Sequence, residues 1–114
     1  MNPLLKIFKA LADGNRLRIL KMLEVRPLCV CEITDVLGLA TSTVSKHLSI
    51  LRDAGLITDD KQGKWVNYSL NSPTGEAYLK ELLPLMEKWL EADRTVSQDI
   101  KKVAVIDRNK ICQI

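Results

Sequence analysis

A mainly α fold carrying a single β-hairpin is predicted from three observations. Apolar residues recur at helical spacing through most of the chain. One stretch, LITDDKQGKWVNYSL, switches to alternation instead. Just before it, Leu39 to Gly55 reads as a helix with one apolar stripe, Val44, Leu48 and Leu51, and a short polar face opposite.

The size of the chain sets the frame for these elements. With 114 residues, one domain with a single core is expected. Hydrophobic residues make up 46% and charged ones 27%, the balance of an ordered globular protein. A net charge of +3 favours a polyanion partner only weakly. No run reaches the ~20 apolar residues of a membrane span. Met1 to Leu11 has no basic region ahead of a cleavable apolar one, so a cytoplasmic protein is expected.

The first helix follows from Leu4, Ile7, Phe8 and Leu11, and Asp13-Gly14 breaks it. A second runs from Asn15 to Val25, with Ile19, Leu20 and Leu23 inward and Arg16, Arg18 and Lys21 mostly outward. Arg26-Pro27 ends it, because the residue before proline disfavours the α region. Val30, Ile33, Val36 and Leu37 then form a third stripe, stopped by Gly38. A short turn leads to the Leu39–Gly55 stretch, whose first amides Thr41 or Ser42 can cap. Gly55 ends that helix as a left-handed residue.

Two short helices joined by a tight turn, the second with a polar face, make a helix-turn-helix. Small donors and one cation on one face suit the DNA major groove. The candidates there are Thr41, Ser42, Thr43, Ser45, Lys46 and Ser49. In the alternating stretch, Val66, Tyr68 and Leu70 share one side and Trp65, Asn67 and Ser69 the other, with Gln62-Gly63 as the turn. A hairpin in that place is a wing, so the fold class is a winged helix-turn-helix. Lys61 and Lys64 at its tip are placed to reach phosphate; protection of an exposed strand edge is the alternative.

Ser72-Pro73 opens a further helix, with a stripe through Leu79, Leu82, Leu83, Met86, Trp89 and Leu90 that Pro84 should kink. Paired with the first helix, it would form the seam of a homodimer, which suits half-sites about 34 Å apart; packing onto the chain's own core is the alternative. The tail, KKVAVIDRNKICQI, has no helical stripe and reads as a loose strand or disorder. Two regions are therefore expected: residues 1–92, a winged helix-turn-helix DNA-binding and dimerisation domain, and residues 93–114, a C-terminal extension carrying Cys112.

There are three cysteines, Cys29, Cys31 and Cys112, and one histidine, His47. An odd count argues against a disulfide scaffold and for a reducing compartment. His47 lies beside the buried stripe of its helix and reads as a hydrogen-bonded structural residue. Trp65 and Trp89 read as packing residues. Residues i and i+2 on a helix sit about 200° apart, so Cys29 and Cys31 cannot share an ion inside a regular helix. Either they lie ahead of its first turn, or binding deforms it. Deformation would misplace the helix behind and couple the ion to DNA affinity.

Asp13 to Leu20, Leu28 to Glu32, Ser42 to Leu48, Leu51 to Leu56 and Gly63 to Tyr68 together resemble the ArsR/SmtB metalloregulatory repressors, over roughly residues 4–92. The resemblance implies a dimeric repressor that leaves operator DNA when a metal ion binds. Cys29-Val30-Cys31 is similar to the arsenic(III)/antimony(III) subgroup and also to the cadmium/lead one. The chain departs from both. Thr34 stands where the arsenic type often has a third cysteine, and no cysteine precedes Cys29. The zinc type's ligands are missing, since no histidine follows His47. Cys112 is the thiolate left to complete a three-coordinate site.

Thiolates are soft ligands that select thiophilic ions. Arsenic(III) takes three sulfurs in a pyramid, whereas zinc prefers four ligands. The cysteine count therefore argues for As(III) or Sb(III) as inducer at Cys29, Cys31 and Cys112, with no organic cofactor and no catalysis. Two further functions are weighed: a thiol-based redox or persulfide sensor on the same fold, and a Cys-x-Cys thiol oxidoreductase. The latter needs a strand-helix thioredoxin-like setting with a lowered thiol pKa, where this sequence offers a helix-turn-helix.

Overall fold

A computed structural model describes residues 1–72 and 77–112. The elements are α1 (Asn2–Leu11), α2 (Gly14–Val25), β1 (Leu28–Cys29), α3 (Val30–Leu37), α4 (Thr41–Asp53), β2 (Ile57–Gln62), β3 (Trp65–Leu70), α5 (Ala77–Met86), α6 (Arg94–Val105) and α7 (Arg108–Ile111). The expected winged helix-turn-helix is present: α3, a turn at Gly38, α4, then the β2–β3 hairpin.

One core joins the helices. Ile19, Leu20 and Leu23 of α2 meet Ile33 and Val36 of α3, Val44, Leu48 and Leu51 of α4, and Leu79, Leu83 and Met86 of α5. Asp13 starts α2 by accepting from the amides of Asn15 at 2.9 Å and Arg16 at 3.1 Å. Such a cap satisfies donors that a first turn leaves free. Arg16 then ties three helices. Its guanidinium donates to the Ala10 carbonyl of α1 at 2.7 Å and reaches His47 Nδ1 of α4 at 3.2 Å. Arginine only donates, so His47 accepts through Nδ1, as a structural histidine would.

Several expectations need correction. Helix α4 is capped by Ala40 with no side-chain bond, because the hydroxyls of Thr41 and Ser42 already lie within its first turn. The hairpin turn is Gly63-Lys64 rather than Gln62-Gly63, since Gln62 pairs with Trp65. Gly63 takes the positive φ of 61° that such a turn requires. Lys21 is buried, not outward: its ammonium donates to the Met86 carbonyl at 2.8 Å and pairs with Glu24 at 2.6 Å. That bond occupies the end of α5, and the chain tightens there into i→i+3 bonds, Lys88 to Leu85 and Trp89 to Met86. The stripe therefore stops at Met86, and Trp89 and Leu90 are exposed. Pro84 sits in the last turn of α5. The expected Ser72-Pro73 helix start lies outside the described residues.

Three elements, β1, α6 and α7, were not anticipated. Leu28 and Cys29 form β1, which pairs antiparallel with Tyr68 and Asn67 of β3, making a three-stranded sheet in the order β1-β3-β2. The region read as a loose strand or disorder holds the end of α6 and the whole of α7, with a break at Ile106 and Asp107. Helix α6 packs on α2 through Val96, Asp99 and Val103. Asp99, 2% exposed, receives a two-pronged bond from Arg18, Nε to Oδ2 at 2.8 Å and Nη2 to Oδ1 at 3.0 Å. A carboxylate thus occupies a position that packing would give to an apolar side chain.

Candidate metal centre and nucleic-acid interface

The structure brings together all three cysteines. Cys29 is the last residue of β1 and the cap of α3; Cys31 lies in the first turn of α3; Cys112 follows α7. Cys29 is extended, with φ −87° and ψ 166°, so the helical 200° offset between i and i+2 does not apply. Neither alternative holds in full: only Cys29 lies ahead of the first turn, Cys31 is within it, and the pair straddles the helix start. The sulfurs of Cys29 and Cys31 are 3.8 Å apart, and the three Sγ atoms lie within 4.8 Å of one another. Cys31 and Cys112 meet sulfur to sulfur with Cα atoms 5.8 Å apart, a separation that suits a disulfide in the oxidised chain and two thiols on one ion in the reduced chain. The contact arises because α7 folds back onto α3.

A polar network fixes this corner. The Cys29 amide donates to Glu32 Oε1 at 3.0 Å, and Glu32 Oε2 pairs with Arg26 at 3.0 Å. Arg26 also donates to the carbonyls of Val103 at 3.2 Å and Ile106 at 3.3 Å, so it holds the end of α6 beside α3. Burial pushes the Cys29 thiol above its ordinary value, and the adjacent Glu32 carboxylate disfavours the thiolate further. An ion taking that sulfur must release its proton.

Trp65 covers the sulfurs. Its ring packs with Cys29 and Cys112, with Cys31 at the edge, on the sheet face opposite Tyr68 and Leu70. Arg108 stands over the same ring at 4.8 Å and Lys64 at 5.2 Å. The expectation of a packing tryptophan is met, but what it packs against is the thiol cluster. A groove of about 250 Å³ runs past Cys29, Cys31 and Trp65 to Thr41 of α4 and Lys64 of the hairpin turn. Donor set and setting fit a soft, three-coordinate ion: three sulfurs, no imidazole in the cluster, and an apolar cover.

The candidate DNA face is solvent-accessible throughout. Thr41, Ser42, Thr43, Ser45, Lys46 and Ser49 are exposed on α4, opposite the buried Val44, Leu48 and Leu51. Lys61 and Lys64 are exposed on the hairpin. Arg52 of α4 pairs with Asp59 of β2 at 2.9 Å and braces helix against wing.

Sequence reasoning missed Glu32, Arg26 and Arg108. Glu32 had a signal: it stands three residues after Cys29, the spacing by which a first-turn glutamate bonds back to the cap amide. Arg26 and Arg108 act on elements distant in sequence and carry no local signature.

The sequence profile described as "Bacterial regulatory protein, arsR family" matches residues 13–59. The arsenical resistance operon repressor of Escherichia coli K12 is 38% identical over 101 residues, covering 88% of this chain and 84% of that protein. The repressor of the same description from Bacillus subtilis 168 is 44% identical over 77 residues, 67% of this chain and 73% of that one. Among solved structures, the homodimeric winged helix-turn-helix DNA-binding domain Mb0332 of Mycobacterium bovis superposes with a TM-score of 0.64 at 29% identity, over 76% of this chain and 77% of that one.

Proposed function

This chain belongs to the arsR family of bacterial regulatory proteins, and on that premise we propose that it is a cytoplasmic repressor which binds operator DNA as a homodimer and is released by As(III) or Sb(III). The ion is held within one chain by Cys29, Cys31 and Cys112 in their reduced form, each thiol releasing its proton as it ligates. The observation that carries this reading is the meeting of three sulfurs, within 4.8 Å of one another, at the start of the helix packed under α4. The arsenical descriptions of the Escherichia coli and Bacillus subtilis relatives support the choice of ion. Drawing three sulfurs onto one ion repositions β1 and the first turn of α3, and α4 and the wing move with them.

The dimer is proposed through α1 and α5, whose outer faces leave Leu5, Phe8, Tyr78 and Leu85 exposed. Phe8, Tyr78 and Leu85 flank a shallow groove of about 200 Å³ between the two helices. Apolar patches of this kind mark association surfaces. No helix among the described residues is long and apolar enough to cross a membrane.

The test is DNA binding titrated in parallel with arsenite, antimonite, cadmium and zinc. Release is expected with arsenite and antimonite at concentrations where zinc has no effect. Indifference to all thiophilic ions would overturn the reading.

The Cys31–Cys112 pairing favours a second reading, a redox-sensing repressor on the same fold. There, two thiols give up two protons and two electrons to an oxidant such as hydrogen peroxide, which becomes water. Intact mass after arsenite or peroxide separates the two: arsenic adds its mass, whereas a disulfide removes two hydrogens. An oxidoreductase is disfavoured by the raised Cys29 thiol and by the regulatory family.

A further inference from the structure

Arg108 stands one helical turn before Cys112, whose amide donates to the Arg108 carbonyl at 2.8 Å. Helix α7 is a single turn, so the two residues move as one body. At its other end, the Arg108 guanidinium leaves α7 altogether. It stacks over Trp65 at 4.8 Å and donates through Nη1 to Asn67 Oδ1 at 2.9 Å. Both contacts are on β3 of the wing.

Asn67 is a junction. Its main chain pairs with Cys29 in the β1–β3 ladder. Its side-chain amide donates to Gln62 Oε1 at 2.8 Å, and Gln62 is the last residue of β2 before the Gly63-Lys64 turn. Two of the three cysteines therefore converge on one residue: Cys29 through the backbone ladder, and Cys112 through Arg108. Beyond Asn67 lies the tip that carries Lys61 and Lys64.

We propose that Arg108 is a positioning residue which transmits ligation at Cys112 to the wing. This rests on the reading of the thiol cluster as the inducer site. Arg108 touches neither the ion nor DNA. When Cys112 is drawn to an ion shared with Cys29 and Cys31, α7 shifts and carries the guanidinium across Trp65 and Asn67. The wing tip is then re-aimed. The route is independent of the path from α3 to α4, so its loss reduces the response to inducer without abolishing it.

The test compares the wild-type chain, Arg108→Ala, Arg108→Lys and Asn67→Ala on a duplex selected from random DNA by the wild-type protein. Three quantities are measured: DNA affinity without arsenite, arsenite bound per chain by mass, and DNA affinity at saturating arsenite. Coupling between two sites typically spans roughly 5–150-fold. Arg108→Ala is expected to keep the first two quantities and to lose about tenfold of the third's response. Arg108→Lys, which retains a cation over Trp65, should recover part of it, and Asn67→Ala should reproduce the loss.

A spectroscopic readout adds to this. In a Trp89→Phe background, Trp65 emission should respond to arsenite, and Arg108→Ala should blunt that response. A wild-type response to arsenite in both Arg108→Ala and Asn67→Ala would overturn the proposal while leaving the inducer assignment standing. Loss of arsenite uptake in Arg108→Ala would also overturn it, since Arg108 would then be building the site itself. A wild-type chain that ignores arsenite would remove the inducer assignment and this proposal together. If Arg108→Ala fails to fold by circular dichroism, Asn67→Ala decides, because it removes the acceptor on the wing and leaves α7 intact.

Discussion

Arg18 and Asp99 are 81 residues apart in sequence and meet as a two-pronged ion pair, at 2.8 and 3.0 Å, across the α2–α6 contact. Asp99 is buried and Arg18 mostly so. Removing one partner strands a charge inside the protein, which costs about 3–5 kcal/mol for a buried pair. Arg18→Met is therefore expected to lower the unfolding free energy measured by urea titration by about 3 kcal/mol, near the lower end of that range. The double variant Arg18→Met/Asp99→Leu should regain most of it, because two apolar side chains leave no charge unpaired. Equal stability of Arg18→Met and wild type would show that the pair contributes nothing.

Asp13 gives a pH dependence with a definite sign. The Arg16 amide that bonds its carboxylate holds its pKa below the ordinary 3.8, with the Arg16 guanidinium assisting. The folded value is below the unfolded one, so the ionised cap stabilises the fold fully above the unfolded pKa. That stabilisation is lost as pH falls through the folded value. Asp13→Asn keeps an N-cap acceptor but removes the titration. Unfolding midpoints of the two proteins should therefore converge as pH drops from 5 to about 3. A constant gap over that range would refute the assignment.

On the proposed DNA face, Lys64→Ala should weaken binding to every sequence and reduce the slope of log affinity against log salt by about 1. Ser45→Ala and Lys46→Ala should in addition relax base preference, since they lie on the exposed face of α4. Quantitative binding to randomised duplexes at several salt concentrations measures both effects. An affinity that ignores salt would exclude the proposed phosphate contacts.

For the ion site, Cys29→Ser and Cys31→Ser should leave DNA binding intact and abolish release by arsenite, because an alcohol cannot supply a soft thiolate. X-ray absorption on the arsenite complex of Cys112→Ser, without added thiol, tests the third ligand. Two sulfurs and one oxygen are expected around arsenic. Three sulfurs would exclude Cys112 as a ligand.

The winged helix-turn-helix was legible because each element carries a local signature: Val44, Leu48 and Leu51 at helical spacing, Gly38 and Gly55 at positive φ, alternation through β3. What escaped was set at long range. A two-residue β1 is too short to show a period and exists only because Tyr68 and Asn67 offer it a partner. Helix α6 was missed because Asp99 interrupts its apolar stripe, and only Arg18, far off in sequence, makes that carboxylate tolerable. The cysteines were singled out by their chemistry, yet their meeting depends on Arg26 gripping the end of α6. Lys21 looked like a surface lysine until α5 supplied a carbonyl to receive it.

The three-stranded sheet also limits how this molecule could be re-engineered. Cys29 is a rung of the ladder that Asn67 shares with the hairpin, and Trp65, two residues away, roofs the sulfurs. Side chains alternate along a strand, so a register slip of one residue in β3 would turn Trp65 away and put Val66 in its place. The hairpin is therefore not a portable cassette. A chimera that exchanges this wing for another to change operator choice would rebuild the sensor at the same time, unless the graft brings its own tryptophan in the same register.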